Sequence, residues 1–367
     1  MRLSYLMTPG PTQIRENVRL ARAKECTNPD IDSVFYDFYQ ETCLKIAKLL
    51  KTKEEVLILS GEGILGLEAA SASLTEPGDR VLVIENGIFG EGFADFVTMY
   101  GGEPVLFKGD RTRGIDMQEL KAFLEQDNNF KYATIVHCDT PSGVLNPIDQ
   151  ICPLLKSYGI LTVVDSVASM IGEPILTDQW QIDIALGASQ KCISAPPGLT
   201  LLSISQDAKR AMEERKTPIA SYYCNLLIWQ DYYKNQWFPY TMPISDIEGL
   251  AVAVDNLLEE GLENVQKRHE QVGQYVRKRL QEEGLELYLN DSFSNTVTVV
   301  KVPEDVGGIR RVLDYVREQY NIMITGSFGY LQDKVIRIGH MGENAYMEKV
   351  KITMDVLIEA IDSCKTL

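Results

Sequence analysis

Short apolar runs alternate with helical patterns along the first half of this chain, and that alternation leaves few folds open. Val56-Leu-Ile-Leu-Ser, Val81-Leu-Val-Ile-Glu and further runs near Pro104, Ala133, Leu161 and Ile182 read as buried strands. Helical patterns from about Ile64 to Leu74 and near Gly90 to Tyr100 fall between them, and another amphipathic stretch spans Ser33 to Leu50. Strands separated by helices pair in parallel, so the prediction is an α/β fold built on a mostly parallel, doubly wound sheet. Ligands of such sheets bind outside the carboxyl ends of the strands.

The pattern changes near residue 250. From Ile247 to about Gly284 the chain is rich in Leu, Glu, Gln and Arg at helical spacing, which predicts one long helix bent at Gly261. Beyond it come a strand at Thr296 to Val302, a helix at Gly308 to Tyr320, a strand pair near Ile322 and Val335, and a closing helix after Asn344. The expected organisation is a segment 1–14, a large unit 15–250, and a linking helix with a smaller α+β unit over 251–367. A length of 367 residues suits two or three such units.

Two residues at predicted strand ends carry the chemistry. Asp165 closes Gly159-Ile-Leu-Thr-Val-Val-Asp, and Lys191 follows 26 residues later, just past Ile182-Asp-Ile-Ala-Leu-Gly-Ala. Taken singly, an aspartate at a strand end is a turn former and a lysine is a solvated cation. Together they are what pyridoxal 5'-phosphate requires: an amine to condense with the aldehyde and an acid to keep the pyridine nitrogen protonated.

Charge and residue usage exclude several other classes. A formal net charge of -16 opposes binding to nucleic acid or to an anionic membrane surface. The sequence has no apolar run long enough to span a bilayer and no signal-peptide core after Met-Arg-Leu-Ser-Tyr, and Lys-Thr-Leu at the end only loosely matches a peroxisomal address, so a cytoplasmic protein is expected. Seven cysteines without Cys-x-x-Cys spacing and three histidines without ligand spacing suggest reduced thiols and no metal.

One motif points elsewhere. Gly61-Glu-Gly63-Ile-Leu-Gly66 follows a strand and opens a helix, with Glu85 ending the next strand 19 residues later, as in a dinucleotide-binding unit with its ribose acid. The same backbone device holds a single phosphate, because amides at a helix start point at an anion and glycine permits close approach. The glycines do not distinguish the two uses. The Asp165 and Lys191 pair does.

Leu6-Met-Thr-Pro-Gly-Pro, Ser60-Gly-Glu-Gly, Asn86-Gly-Ile-Phe-Gly, Val164-Asp-Ser-Val-Ala-Ser, Ser189-Gln-Lys-Cys and Arg337-Ile-Gly occur in order across nearly the whole chain. In these the chain resembles class V pyridoxal-phosphate aminotransferases of the alanine-glyoxylate or serine-pyruvate type, and it is similar also to 2-aminoethylphosphonate-pyruvate aminotransferases. The resemblance implies a fold type I transferase, a ping-pong transamination between a small amino acid and a 2-oxo acid, and a homodimer with shared active sites.

It also implies residue roles. The phosphate would lie on the backbone of Glu62, Gly63 and Ile64 with help from Gln190, and Thr241 would reach it from the neighbouring subunit. Phe89 and Val167 would pack the ring faces, and Thr140 would lie near the phenolic oxygen. Asp165 and Lys191 would be catalytic, Arg337 would hold the substrate carboxylate, and Gly10 would lie at the substrate on the amino-terminal segment. The family's tyrosine three residues before Thr241 is Phe238 here, which has no hydroxyl to donate. A lyase of the cysteine desulfurase type would need a late mobile cysteine, for which Cys364 is the candidate, and a non-catalytic binding protein would not need Lys191, Asp165 and Arg337 together.

Overall fold

A computed structural model describes residues 5–365; residues 1–4 and 366–367, which carry most of the amino-terminal and Lys-Thr-Leu readings, lie outside the described residues. Seven strands form one sheet: β1 (Glu55–Ser60), β2 (Arg80–Glu85), β3 (Glu103–Lys108), β4 (Tyr132–Val136), β5 (Leu161–Asp165), β6 (Ile184–Ala188) and β7 (Leu199–Ile204). Their order across the sheet is β1-β7-β6-β5-β4-β2-β3. β4 and β6 are buried along their whole length, which is why they read as unbroken apolar runs rather than alternating ones.

Every neighbouring pair is parallel except those of β7, which runs antiparallel to both β1 and β6. The predicted parallel sheet therefore has one reversed strand. No helix separates β6 from β7, and a chain that returns by a turn alone must pair antiparallel.

The intervening helices are α1 (Ser33–Leu49), α2 (Gly63–Leu74), α3 (Ile88–Met99), α4 (Met117–Gln126) and α5 (Ile148–Ser157). α2 buries most of its residues, and it approaches β7 closely because Gly66 has no side chain: a Cβ there would lie 2.6 Å from Thr200 Cγ2.

The predicted long helix is two helices, α6 (Ile244–Glu260) and α7 (Leu262–Glu282). Gly261, at φ +84°, ends one and starts the next, with its N–H bonded to Leu257 O at 3.0 Å and its carbonyl accepting from Val265 N at 3.0 Å. A left-handed φ breaks the helix where the sequence pattern, continuous on both sides, suggested a bend.

A small antiparallel sheet follows, β8 (Val297–Lys301), β9 (Thr325–Gly326) and β10 (Val335–Gly339), in the order β8-β10-β9, with α8 (Ile309–Tyr320) and α9 (Met347–Cys364). The strand pair expected near Ile322 and Val335 is β9 with β10, while Ile322–Met323 itself pairs in parallel with Tyr5–Leu6. The amino-terminal segment is thereby tied to this unit, with Met7 O accepting from Gly339 N at 2.8 Å.

Apolar side chains gather in two clusters, one through the large sheet and one formed by residues such as Val276, Val316, Ile336, Ile338 and Leu357. Side chains alternate along a strand, so Ile336 and Ile338 turn into the second cluster while Val335 joins the first and Arg337 faces the same way. Among the described residues no helix is long and apolar enough to cross a membrane.

Candidate active site

The carboxyl ends of β4, β5 and β6 open on a cavity of about 140 Å³. Glu62, Gly63, Ile64, Phe89, Thr140, Asp165, Val167, Gln190 and Lys191 all line it, together with Leu67, Cys138 and Ala168, which sequence reasoning had not singled out. A larger open cleft of about 570 Å³ lies beside Arg113, Trp180 and Asp291, but no lysine lines it. The smaller cavity holds the amine and the acid together.

Asp165 is the last residue of β5, and its Oδ1 accepts from Val167 N at 2.8 Å. Burial pushes its carboxyl up to about 7, with the Asp139 carboxylate adding to the rise and the Val167 N–H and Lys191 opposing it. A buried acid of this kind lacks a full counter-charge, which a protonated ring nitrogen would supply.

Lys191 stands on the turn between β6 and β7. That turn is pinned: Ser194 N bonds to Lys191 O at 3.0 Å, Ser189 Oγ to Pro196 O at 2.5 Å, and Thr12 Oγ1 to Lys191 O at 3.1 Å. The amine donates to Pro9 O at 2.5 Å. Burial, then the nearby Arg337 charge, lowers its pKa to about 8. Gly10 sits at φ +87°, and any Cβ there would overlap the Lys191 side chain. The amino-terminal segment thus reaches the lysine, with Gly10 against its stem.

Arg337 is buried at 9% exposure and has no carboxylate within ion-pair distance among the described residues. Its Nε donates to Gly326 O at 2.7 Å, and its Nη1 reaches Thr140 O at 3.5 Å. The guanidinium carbon lies 5.4 Å from the Phe328 ring centre. Burial lowers its pKa to about 10, opposed by Asp139. A surface ion pair, the ordinary alternative for this arginine, does not describe it.

Asp139 is the residue that sequence reasoning missed. Fully buried, it accepts from Ser142 Oγ at 2.7 Å and from Phe89 N at 3.0 Å, and Gly87 lies so close that a side chain there would overlap it. It therefore fixes the start of α3 and the position of Phe89. The available signal was its place before Thr140-Pro-Ser-Gly, where an aspartate caps a turn by bonding forward to Ser142.

Thr241, expected to serve the phosphate from a neighbouring subunit, and Phe238, which stands where the family has a tyrosine, lie outside this cavity. Thr241 is exposed, with its hydroxyl 3.3 Å from Asp30 Oδ2. Phe238 is an interior residue, stacked on Tyr36 at 4.5 Å and edge-on to Tyr39 and Trp229. Glu85, the acid of the dinucleotide pattern, faces Arg111 at 3.6 Å and does not line the cavity. Cys364 is buried in the second apolar cluster, and His269 and His340 bond to Gly342 N and Thr298 in the interior.

A family model described as Aminotransferase class-V matches residues 5–330. The chain belongs to that family. It is 34% identical to the alanine–glyoxylate aminotransferase of Felis catus over 98% of this chain and 88% of that one. Among solved structures, a ureidoglycine–glyoxylate aminotransferase from Bacillus subtilis superposes with a TM-score of 0.95 at 28% identity, covering 99% of this chain and 94% of that one. A pyridoxamine–pyruvate aminotransferase from Mesorhizobium loti superposes at 0.93 with 30% identity, covering 98% and 92%. This aminotransferase therefore has the fold type I architecture that its sequence suggested.

Proposed function

We propose that this class V aminotransferase moves an amino group from a small amino acid of the alanine or serine type to glyoxylate or pyruvate, by a ping-pong reaction on pyridoxal 5'-phosphate held at Lys191. The carrying observation is the meeting of the Lys191 amine and the buried Asp165 carboxyl in one cavity, with Arg337 beside it. The three relatives differ in their named amino donor but share a small 2-oxo acid, glyoxylate or pyruvate, which supports that acceptor class here.

When bound, the cofactor supplies an electron sink for the substrate's α-carbon. The chain's own residues do the rest. Asp165 would hold a proton on the ring nitrogen, because a cationic ring would give its buried carboxylate a counter-charge. The Lys191 amine, lowered to about 8, is a free base in part at neutral pH and takes the α-proton. Pro9 O orients that amine, and Gly10 leaves it room to move. Arg337 would grip the substrate carboxylate through charge-assisted hydrogen bonds, and Phe89, Val167 and Thr140 would line the space for the ring. Thr241, exposed on its own chain, reaches the site of a second copy in a homodimer.

A donor panel tests the proposal. Alanine or serine should convert the bound chromophore, glyoxylate or pyruvate should restore it, and initial rates should give parallel double-reciprocal lines. Conversion by 2-aminoethylphosphonate alone would replace the donor assignment, and intersecting lines would remove the ping-pong scheme.

A further inference from the structure

The amino terminus of α2, where a phosphate would lie, already has an anion of its own. Glu62 is the N-cap residue, and its Oε2 accepts from Ile64 N at 3.3 Å. Amides and dipole at a helix start favour one negative group. Here the Glu62 carboxylate takes that place, and a phosphate would have to displace it or sit beside it.

The rest of the cavity offers no compensating charge. Lys191 is the one cation among the lining residues, and its amine is reserved for the aldehyde, as Arg337 outside that lining is for the substrate carboxylate. Gln190, at 7% exposure, presents a buried Oε1 with no donor partner. The Glu62 carboxylate only accepts, so a group placed beside it must bring a donor. A hydroxymethyl group supplies one, and a fully ionised phosphate does not. Phe238 adds no hydroxyl, so the one hydroxyl that a second copy would bring is that of Thr241.

We infer that Glu62 removes most of the advantage a phosphate confers, so that the site accepts unphosphorylated pyridoxal about as readily as pyridoxal 5'-phosphate. This rests on the Lys191 reading: the amine adds to the aldehyde carbon and one water leaves, identically for both vitamers. Glu62 is exposed and hence screened, so its effect is moderate rather than absolute.

The test titrates the hydroxylamine-stripped full-length protein with each vitamer, following chromophore absorbance and the mass of the borohydride-trapped chain. The two dissociation constants should agree within about tenfold, the scale of a screened charge interaction. In Glu62→Gln, and in Glu62→Ser, which keeps a capping side chain, the phosphate ester should gain on pyridoxal by about tenfold or more. A wild-type preference for the phosphate ester above about a hundredfold, or a ratio that neither variant moves, overturns the inference. If neither vitamer gives a trapped adduct, the Lys191 assignment fails and this inference falls with it.

Discussion

The Lys191 amine lies 2.5 Å from the carbonyl oxygen of Pro9, and the next residue, Gly10, touches the lysine stem at a left-handed φ. A residue far away in sequence thus sets the position of the proposed catalytic base. Gly10→Ala meets two obstacles at once, a disfavoured φ and an overlap with Lys191. We expect kcat to fall by about a hundredfold, the usual cost of misplacing a reacting group by about an ångström, and stability to fall by about 1–3 kcal/mol. Steady-state rates and thermal melts measure both.

In the proposed reaction Arg337 would act on substrate and lysine together. Arg337→Gln removes a charge-assisted carboxylate grip and should lower kcat/KM by about 30–100-fold, equivalent to roughly 2–3 kcal/mol. The same guanidinium helps hold the lysine pKa down, so the variant should move the alkaline-rising limb of the pH profile upward from its position near 8. An unmoved limb would show that the two groups are not coupled.

Asp165 should make the stripped protein sensitive to alkali. Its folded pKa of about 7 lies above the ordinary 3.8, so the stability it contributes is complete below about 4 and is lost as pH rises through 7. Asp165→Asn removes the ionisation, and the stripped variant should melt a few degrees above the stripped wild type at pH 8 and close to it at pH 4. With cofactor added, the variant should lose most of its activity, because nothing then holds the ring proton.

Phe238→Tyr tests whether this position lacks a phosphate contact or belongs to the core. Phe238 is packed among Tyr36, Tyr39, Trp229 and Tyr232, where a new hydroxyl would have to be taken out of water. The variant should lose about 1–3 kcal/mol of stability and gain no cofactor affinity, as measured by melting and by vitamer titration.

Much of this could be read from the sequence because the physics is local. Apolar runs such as Val81-Leu-Val-Ile report burial directly, and Asp165 and Lys191 stand out because their chemistry requires both. β7 was missed, since a reversed strand and a parallel one have the same apolar pattern. Gly261 looked like a bend because helical spacing resumes immediately after it. The role of Asp139 depends on how closely Gly87 approaches it in space, and the bond from Glu62 to Ile64 depends on a side-chain orientation. The turn at Thr140-Pro-Ser-Gly marks Asp139 as a capping residue, but residue spacing does not show its approach to Gly87 or the orientation of Glu62.

The most direct measurement is peptide mapping of the protein after incubation with a vitamin B6 aldehyde and reduction with borohydride. The account predicts one modified peptide, carrying the adduct on Lys191, and its loss together with transaminase turnover in Lys191→Ala. A protein that stays colourless and unmodified, or a Lys191→Ala variant that still transaminates at a substantial rate, would contradict it.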